Sequence, residues 1–445
     1  MSEKKKDLSI CLLNDSFPPL IDGVSNTVKN YAHYIEKNHG HSLVITPQVS
    51  GADDSVYEFP VVRYPSLDFR KLVGYVAGYP FSPTAARRIR EEKSQLMHLH
   101  CPVSTAILAR ELHRTLDLPL ILTWHTKFDY DVSFMIRLKL LQKAAVKALV
   151  SNAEACDEVW VVSRGAGENL RSLGYSGDYV VMENGVDLPP QAADDAAIAA
   201  ATAGYDLPAD IPVFLYVGRI MWYKGLKITI DALAALKAKG IPFRMVFVGG
   251  APERAEIEAY SKEQGLSDVC FFTGPIHDRE ALRAWYSRAD LFLFPSTYDT
   301  NGLVVREAAA CGTASLLIEG SCAAEGVTDG RNGFLIDENS DAMAQALKHL
   351  CSHPGAMARA GMLAQQELYI SWETAVARAA ERYHIVIENF RSGRIVRRPS
   401  TPVDIFLRAQ GEMMDAFSRL HSSTLYTTNI DAEDDPAEDW EDDEK

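Results

Sequence analysis

Neither a disulfide framework nor a zinc ribbon is supported by this sequence. Its 445 residues contain seven cysteines, an odd number, and they never form a CxxC pair. That distribution predicts reduced thiols in a cytoplasmic protein. No run of about 18 apolar residues occurs, so no membrane-spanning helix is expected. The apolar run after the basic start is broken at Asn14 and Asp15, which favours a strand over a signal peptide.

Several nucleotide-binding and hydrolytic motifs are also missing. The chain has no GxxxxGK[ST] loop, no GxSxG elbow and no HExxH pair. The nearest approach to a dinucleotide fingerprint, Gly165-Ala-Gly167, has Leu170 where the last glycine is required. These absences disfavour P-loop ATPases, standard dinucleotide oxidoreductases, hydrolases with a nucleophile elbow and HExxH zinc proteases.

Acidic charge is concentrated at one end of the chain. The formal net charge is −15, yet residues 431–445 hold ten acids and one base. We predict that this tail is disordered, because blocks of like charge stay solvated. The rest of the chain is nearly balanced, so the distribution of the charge says more than its sum. No nucleic acid partner is expected.

Short apolar runs alternate with amphipathic stretches through most of the sequence. LSICLL, HSLVIT, PLILTW and EVWVVS lie in the first half, and VFLYVG, FRMVFVGG, VCFFTG and DLFLFP in the second. This rhythm predicts an α/β fold with two doubly wound parallel sheets, separated by a linker over residues 191–210. Two such domains facing each other form a cleft at the carboxyl ends of their strands.

The most informative motif is YDTNGLVVREAAACG, which follows the strand DLFLFP. Gly302 would let the backbone N–H groups of Leu303 and Val304 point outward at a helix start, where a phosphate is favoured. Asp299 would accept hydrogen bonds from sugar hydroxyls and Glu307 from a ribose. Taken alone, both acids are better interpreted as solvated side chains at a helix start.

A second motif, VGRIMWYKG, places two cations on a turn directly after a strand. Arg219 and Lys224 would neutralise a leaving diphosphate there. Basic residues on loops are usually solvated, so each is a weak signal by itself. Together with Asp299 and Glu307 they suit a nucleotide diphosphate-sugar.

With these motifs, the sequence resembles the retaining GT-B glycosyltransferases of family 4, the glycosyl transferases group 1. The resemblance extends to about residue 398. The resemblance rests on PPLIDGVSNTV, TWHTK, ENGVD and the two motifs above. It implies two Rossmann-like domains around a central cleft and a metal-independent transfer of a sugar, without a cofactor, from a UDP-linked donor. By the same resemblance, residues 1–190 form an acceptor domain, 211–372 a nucleotide-sugar-binding domain, 373–400 a helix that crosses back, and 401–430 a helical extension before the tail at 431–445.

The resemblance also assigns roles to individual residues. His125 and Asp299 become the catalytic candidates, since His125 would contact the donor sugar near the reacting carbon and Asp299 would bind sugar hydroxyls. The candidate nucleotide-sugar-binding residues are Gly23, Arg219, Lys224, Gly302, Leu303, Val304 and Glu307. Retention without a second carboxylate favours a front-side route, in which the leaving phosphate takes the proton of the acceptor.

This chain departs from the family pattern at several positions. Asp299 stands where the family usually has Glu, and Asp22 precedes Gly23 where a glycine pair is frequent. Asn301 replaces an aromatic residue. Ser321 and Cys322 occupy the positions of a second glycine pair. These departures affect the expected sugar contacts more than the phosphate and ribose contacts.

A basic stretch, SFMIRLKLLQKAAVKALV, is the candidate membrane contact. Arg137, Lys139, Lys143 and Lys147 lie there without an acid nearby, and the three lysines share one helix face. The segment is either an interfacial helix on anionic lipid or a core helix with a solvated basic edge. Similarity to bacterial diacylglycerol glucosyltransferases favours the first interpretation.

Two weaker patterns have simpler interpretations. His98 and His100 share a strand face beside Cys101, but no further ligands at fixed spacing join them, so no metal site is predicted. We expect His100 at most to line the cleft. Asp129-Tyr130-Asp131 resembles a metal-binding DxD motif and is interpreted as loop polarity.

The sequence as a whole predicts a hexosyltransferase that moves glucose from UDP-glucose to a membrane lipid such as diacylglycerol. The expected location is the cytoplasm, peripherally at the inner membrane face. A polysaccharide or small glycoside acceptor remains an alternative, as do a catalytically silent nucleotide-sugar-binding scaffold and a sugar-nucleotide epimerase.

Overall fold

Parallel strands alternate with helices along the chain. The computed structural model describes residues 7–20, 22–68 and 76–395, together with positions 405 and 409. The strands in this part of the chain are β1 (Leu8–Leu13), β2 (Gly40–Pro47), β3 (Val61–Tyr64), β4 (Ser66–Asp68), β5 (Val76–Gly78), β6 (Leu96–Leu99), β7 (Leu120–Trp124), β8 (Glu158–Val161), β9 (Val180–Val181), β10 (Val213–Val217), β11 (Arg244–Val248), β12 (Cys270–Gly274), β13 (Leu291–Phe294), β14 (Ser315–Ile318) and β15 (Phe334–Ile336).

Helices cover these strands, and several of them begin at a capping side chain. The α-helices are α1 (Gly23–Asn38), α2 (Pro83–Glu91), α3 (Ser104–Leu116), α4 (Phe128–Met135), α5 (Lys139–Glu154), α6 (Arg164–Ser172), α7 (Asp195–Ala201), α8 (Leu226–Ala238), α9 (Arg254–Glu263), α10 (Arg279–Arg288), α11 (Leu303–Ala310), α12 (Ser340–Ser352), α13 (Pro354–Glu367) and α14 (Trp372–Arg391). Asp22, Ser163 and Ser371 each cap the helix that follows by accepting a backbone N–H.

The first sheet has the strand order β3-β2-β1-β6-β7-β8-β9, and all its pairs are parallel. Its central strands are buried on both faces, which explains their continuous apolar runs. The order reverses between β1 and β6. Such a switch point leaves a crevice at the carboxyl ends of the strands.

The second sheet repeats this plan with the order β12-β11-β10-β13-β14-β15, again all parallel. Its switch point lies between β10 and β13. The loops that follow these two strands carry the two motifs identified in the sequence. The prediction of parallel doubly wound sheets in both halves is therefore confirmed.

Helix α14 belongs to the core of the first half although it comes last in the described chain. Trp372 and Tyr383 are buried in the same apolar cluster as Ile10 of β1 and Trp160 of β8. Arg382 adds an ion pair with Glu158, with Nη2 2.6 Å from Oε2. Helix α14, which follows the second sheet along the chain, thus packs against the first sheet.

Three predicted segments differ from the structure or fall outside the described residues. The stretch 191–210 contains helix α7, which packs against α10 of the second half, so it is more structured than a plain linker. Asp129 lies in helix α4, so interpreting the DxD-like stretch as a loop was wrong. The predicted extension 401–430 falls outside the described residues except at 405 and 409, and the predicted tail 431–445 falls wholly outside them.

Candidate active site

The candidate residues meet where the carboxyl ends of both sheets face each other. Lys127, after β7, donates from Nζ to the carbonyl of Thr297, after β13, at 2.7 Å. The hydroxyl of Thr300 donates to the carbonyl of His125 across the same boundary. These two hydrogen bonds bring the loop of the first half that carries His125 against the loop of the second half that carries Asp299.

The start of helix α11 has the geometry predicted for a phosphate site. Gly302 caps this helix with φ +58°, and a Cβ there would lie 2.9 Å from the Cα of Ala323. Only glycine fits this position without strain. Among the described residues, no group accepts from the backbone N–H of Leu303 or Val304. Both donors therefore remain available to an anion at the positive end of the helix dipole.

Lys224 and Asp299 pair with each other. The ammonium donates to both carboxylate oxygens at 2.8 Å, and only 6% of Lys224 is exposed. Gly225 makes this approach feasible, since a Cβ there would lie 2.3 Å from the carbonyl oxygen of Pro295. The sequence assigned Lys224 to the diphosphate and Asp299 to the sugar, whereas the structure makes each the partner of the other.

Arg219 is the exposed cation of the site. Its guanidinium carbon lies 5.7 Å from the centroid of the Tyr223 ring, and its carbonyl accepts from the Tyr216 hydroxyl at 3.0 Å. Within the part of the chain that the structure describes, Arg219 forms no ion pair. Its charge can therefore meet an incoming anion without first breaking an internal pair.

Glu307 is held by two residues that the sequence did not single out. Arg279 donates from Nη2 to Oε1 at 2.7 Å, and the Tyr286 hydroxyl donates to Oε2 at 2.9 Å. Burial and the neighbouring Glu307 carboxylate raise the pKa of Tyr286, so its hydroxyl stays a donor. Both oxygens of Glu307 keep a second lone pair for ribose hydroxyls, and the carboxylate is oriented in advance. No spacing in the sequence links residue 307 to positions 279 and 286.

His125 is 8% exposed and contacts a second histidine. Its Nε2 lies 3.1 Å from Nδ1 of His100, and burial lowers the pKa of His125 to about 3. The ring is therefore neutral near pH 7. Its carbonyl accepts from Thr300, and its ring nitrogen Nδ1 has no partner in the described chain, so the ring is available to a substrate. His100 is buried, so it does not line the cleft, which was the most that the sequence led us to expect of it.

Gly23 opens helix α1 in a spacious position, where a Cβ would meet no atom within 4 Å. The preceding Asp22 accepts from the backbone N–H groups of Val24 and Ser25, at 2.8 and 2.7 Å. The fold does not need glycine here for steric reasons. The carboxylate that replaces the family's glycine occupies the donors of this helix start.

Glu325 joins the two halves, and the sequence interpretation missed it. Its carboxylate accepts from the backbone N–H groups of Arg164 and Gly165 at the start of α6, at 2.8 and 2.5 Å. Gly165 permits this contact, because a Cβ there would lie 2.6 Å from Sγ of Cys322. The first glycine of the incomplete dinucleotide pattern thus serves close packing between the halves.

A cavity of about 350 Å³ opens beside these contacts. Ser321 and Cys322, the two departures from the glycine pair, line it together with Lys127 and Glu319. The hydroxyl oxygen of Ser321 is buried and has no hydrogen-bond partner in the described chain. The side chains that distinguish this chain from the family pattern therefore lie beside the contacts between the halves.

The basic stretch is exposed, and so are its leucines. The charged side chains of Arg137, Lys139, Lys143 and Lys147 all face solvent on or just before α5. Leu138, Leu140 and Leu141 are 66%, 79% and 52% exposed. Interpretation of the segment as a core helix fits only its far end, where Leu149 and Val150 are buried.

The described residues show neither a metal-ligand cluster nor a membrane-spanning helix. No group of three or more His, Cys, Asp and Glu side chains converges there as metal ligands would. None of the helices in this part of the chain combines the length and apolar character needed to cross a bilayer.

Two curated relatives match most of the chain. A D-inositol 3-phosphate glycosyltransferase of Xylanimonas cellulosilytica is 30% identical over 353 residues, covering 74% of this chain and 81% of the relative. An alpha-monoglucosyldiacylglycerol synthase of Acholeplasma laidlawii is 23% identical over 362 residues, covering 78% and 89%.

Solved structures show the same fold. A sucrose-phosphate synthase from Thermosynechococcus elongatus superposes with a TM-score of 0.69 at 23% identity, covering 86% of this chain and 99% of that one. Anabaena HepE in complex with UDP and glucose gives 0.67 at 19% identity, covering 85% and 99%. The predicted GT-B fold is confirmed.

Family models assign both halves. Residues 21–189 match the model "Glycosyltransferase Family 4", and residues 201–366 match "Glycosyl transferases group 1". With the relative at 30% identity, these matches leave one conclusion: the chain belongs to the family 4 glycosyltransferases of the glycosyl transferases group 1 type, as the motifs predicted.

Proposed function

We propose that this glycosyltransferase transfers glucose from UDP-glucose to a membrane lipid such as diacylglycerol, with retention of anomeric configuration and without a metal. The observation that carries the lipid acceptor is the surface at the start of α5, defined by Leu138, Leu140 and Leu141 among four cations. We refer to it as the leucine–lysine surface. The proposed place of action is the cytoplasmic face of the membrane.

The donor side of the proposal uses the second half. Arg219 and the free N–H groups at the start of α11 would hold the diphosphate, and Glu307 would accept from the ribose hydroxyls. Lys224 sets the position of Asp299 and adds positive charge beside the phosphates. These groups supply the charge neutralisation that other enzymes obtain from a metal ion. The complex of HepE with UDP and glucose supports a UDP-linked hexose as donor.

The chemical step balances without a protein nucleophile. The bond from the anomeric carbon to the phosphate oxygen breaks, and the acceptor hydroxyl oxygen bonds to the same face of that carbon. The acceptor proton passes to the departing phosphate oxygen. Positive character that develops on the sugar ring lies near Asp299 and the neutral ring of His125, and the cations beside the diphosphate stabilise the leaving group.

The acceptor side rests on the leucine–lysine surface. Exposed leucines on a helix start are unfavourable in water and favourable at a lipid interface, at about 25 cal/mol per Å² of apolar surface buried. Each nearby cation adds about 1 kcal/mol on an anionic membrane. The glucosyldiacylglycerol synthase of Acholeplasma laidlawii supports a lipid acceptor.

Product analysis tests the reaction directly. The purified protein is incubated with UDP-[¹⁴C]glucose and vesicles that contain diacylglycerol, and the lipid product is analysed by NMR. We expect an α-linked glucolipid that forms equally well with EDTA present. A β-linked product would overturn retention, and loss of activity with EDTA would overturn metal independence. Absence of turnover with any nucleotide-sugar would favour a nucleotide-sugar-binding scaffold.

Vesicle sedimentation tests the membrane contact. The triple variant Leu138→Ser/Leu140→Ser/Leu141→Ser and the triple variant Lys139→Glu/Lys143→Glu/Lys147→Glu should each bind anionic vesicles at least tenfold more weakly. A matched control reverses three exposed cations of the second half, Lys239→Glu/Lys348→Glu/Arg359→Glu. Equal losses in the lysine variant and this control would show a general charge effect and overturn the proposed surface.

A second candidate acceptor is a soluble phosphorylated polyol. It is favoured by the D-inositol 3-phosphate glycosyltransferase of Xylanimonas cellulosilytica. The same radiolabelled donor, offered with inositol phosphate in place of vesicles, separates the two acceptors. Transfer to the soluble compound, unaffected by the leucine substitutions, would replace the lipid proposal.

A further inference from the structure

Three histidines cluster at the carboxyl ends of β6 and β7. His98 lies inside β6, His100 follows its last residue and His125 follows the last residue of β7. The rings of His98 and His100 are 4.0 Å apart between centroids, and those of His100 and His125 are stacked at 5.3 Å. The cluster connects a buried strand to the catalytic candidate His125.

His98 is satisfied within the fold. Its Nδ1 lies 2.6 Å from the Tyr383 hydroxyl of α14, and its Nε2 lies 2.7 Å from the hydroxyl oxygen of Thr123. Both ring nitrogens thus have protein partners, so His98 holds β6 to α14 and β7. It has no nitrogen left with which to reach a substrate.

His100 differs because only one of its nitrogens is paired. Nδ1 lies 3.1 Å from Nε2 of His125, while Nε2 of His100 is buried without a partner in the described chain. Burial lowers the pKa of both rings, and the charge on neighbouring histidines lowers that of His100 further. Both rings are therefore neutral, and one proton is shared across the 3.1 Å contact.

The unpaired nitrogen decides where that proton lies. If His125 donated, Nε2 of His100 would carry a buried N–H with nothing to accept it. If His100 donates from Nδ1, its Nε2 carries only a lone pair. Orphaned buried N–H groups are rarer in proteins than under-satisfied acceptors. The second arrangement is favoured, and it forces the proton of His125 onto its own Nδ1.

We propose that His100 is a positioning residue that holds His125 in the Nδ1–H tautomer, so that His125 presents a hydrogen-bond donor to the hexose. Nδ1 of His125 has no partner in the described chain and is the nitrogen that remains for a ligand. The partner on one imidazole nitrogen sets the proton on the other. The role of His125 toward the sugar rests on the proposed glycosyl transfer. The tautomer of its ring does not depend on that proposal.

The tautomer is read by ¹⁵N NMR of the full-length protein labelled at histidine. We expect a protonated nitrogen at Nδ1 of His125 and an unprotonated nitrogen at Nε2. The variant His100→Asn keeps an N–H donor at nearly the same place, whereas His100→Leu removes it. The proposal requires the His125 signals to be retained in His100→Asn and altered in His100→Leu. His41→Asn, at an exposed histidine, is the matched control.

Kinetics separates positioning from simple packing. His100→Leu should lower kcat about tenfold while KM for the nucleotide-sugar stays within about twofold, and His100→Asn should restore most of kcat. Melting temperatures verify that both variants fold. A wild-type His125 protonated at Nε2 would overturn the proposal, as would an unchanged kcat in a folded His100→Leu protein. If the wild type transfers no sugar, the proposed function fails and the NMR result alone decides the tautomer.

Discussion

The two halves of this glycosyltransferase face the same cleft with different kinds of side chain. On the second half, charged groups are paired: Lys224 with Asp299, and Arg279 with Glu307. On the first half, the nearest candidate is the neutral ring of His125, which rests on a second neutral ring. One face of the cleft is organised by ion pairs and the other by buried imidazoles.

This difference corresponds to the two ends of the proposed donor. A diphosphate needs cations and N–H donors, and these lie on the second half. The sugar end needs neutral donors and acceptors in a site shielded from water. Keeping the histidines neutral prevents a second positive charge from lying beside the carbon where positive character develops.

The largest effect should come from breaking the ion pair of the second half. Lys224→Ala should lower kcat at least 100-fold, because Asp299 loses the group that positions it and the diphosphate loses a cation. Steady-state kinetics with the nucleotide-sugar measures this loss. Lys227→Ala is the matched control, since Lys227 pairs with Asp231 on an exposed helix face. Equal losses in both variants would contradict the role of the pair.

The next test addresses the neutral histidines through the pH dependence of stability. Their folded pKa values lie below the ordinary value near 6.5, and that of His125 is about 3. Below pH 6.5 the unfolded chain binds protons that the folded chain excludes, so stability falls as the pH drops towards 3. Each histidine contributes up to about 1.4 kcal/mol per pH unit to the free energy of unfolding.

Urea titrations at pH 7, 6 and 5 measure this slope. His100→Asn removes one of the titrating groups and should reduce the slope near pH 5 by about 1.4 kcal/mol per pH unit. His41→Asn removes an exposed histidine and should leave the slope nearly unchanged. A wild-type free energy of unfolding that stays constant from pH 7 to 5 would mean that the rings charge in the folded state.

A smaller effect is expected at the ribose candidate. Glu307→Gln keeps the shape of the side chain but removes the charge that Arg279 pairs with, and UDP affinity should fall about tenfold. Tyr286→Phe removes one hydrogen bond to the same carboxylate and should lower UDP affinity less than Glu307→Gln does. Calorimetric titration with UDP measures both. A larger loss in Tyr286→Phe would contradict direct contact between Glu307 and the ribose.

The contact of Glu325 with the start of α6, which joins the two halves, should affect kcat/KM a few-fold. In Glu325→Gln an NH2 group, which cannot accept from a backbone N–H, replaces one carboxylate oxygen, so kcat/KM should fall about threefold to tenfold. Glu367→Gln is the control, because Glu367 pairs with Arg331 within the second half. An unchanged kcat/KM in Glu325→Gln would show that this contact does not affect the reaction.

The smallest effect on stability is expected at Gly23. Gly23→Ala meets no neighbouring atom and should change the free energy of unfolding by less than about 1 kcal/mol. If the donor approaches this backbone, KM for the nucleotide-sugar should still rise. Gly302→Ala is the contrasting case, since its φ of +58° and the Ala323 contact should cost about 1–2 kcal/mol or more. Thermal unfolding and KM together distinguish the two glycines.

Much of the fold and part of the site were predictable from local pattern. Each apolar run identified in the sequence forms a strand, because parallel strands buried on both faces require continuous apolar residues. Strands β3, β4, β5, β9, β14 and β15 were not identified, since segments of two to four residues carry little periodicity. The cap at Gly302 was predictable because a glycine between a strand and a helix indicates a positive φ.

What the sequence determined by itself was the alternation of strands and helices, the family, and which side chains carry charge near the strand ends. These properties depend on neighbouring residues and on motifs of fixed spacing. Tertiary structure alone decided which groups meet: Lys224 with Asp299, Glu307 with Arg279 and Tyr286, and His125 with His100. Those partners are 21 to 75 positions apart, and spacing along the chain does not encode a contact made by strand order and close packing. Burial, which keeps the histidines neutral, is likewise a property of the packed molecule.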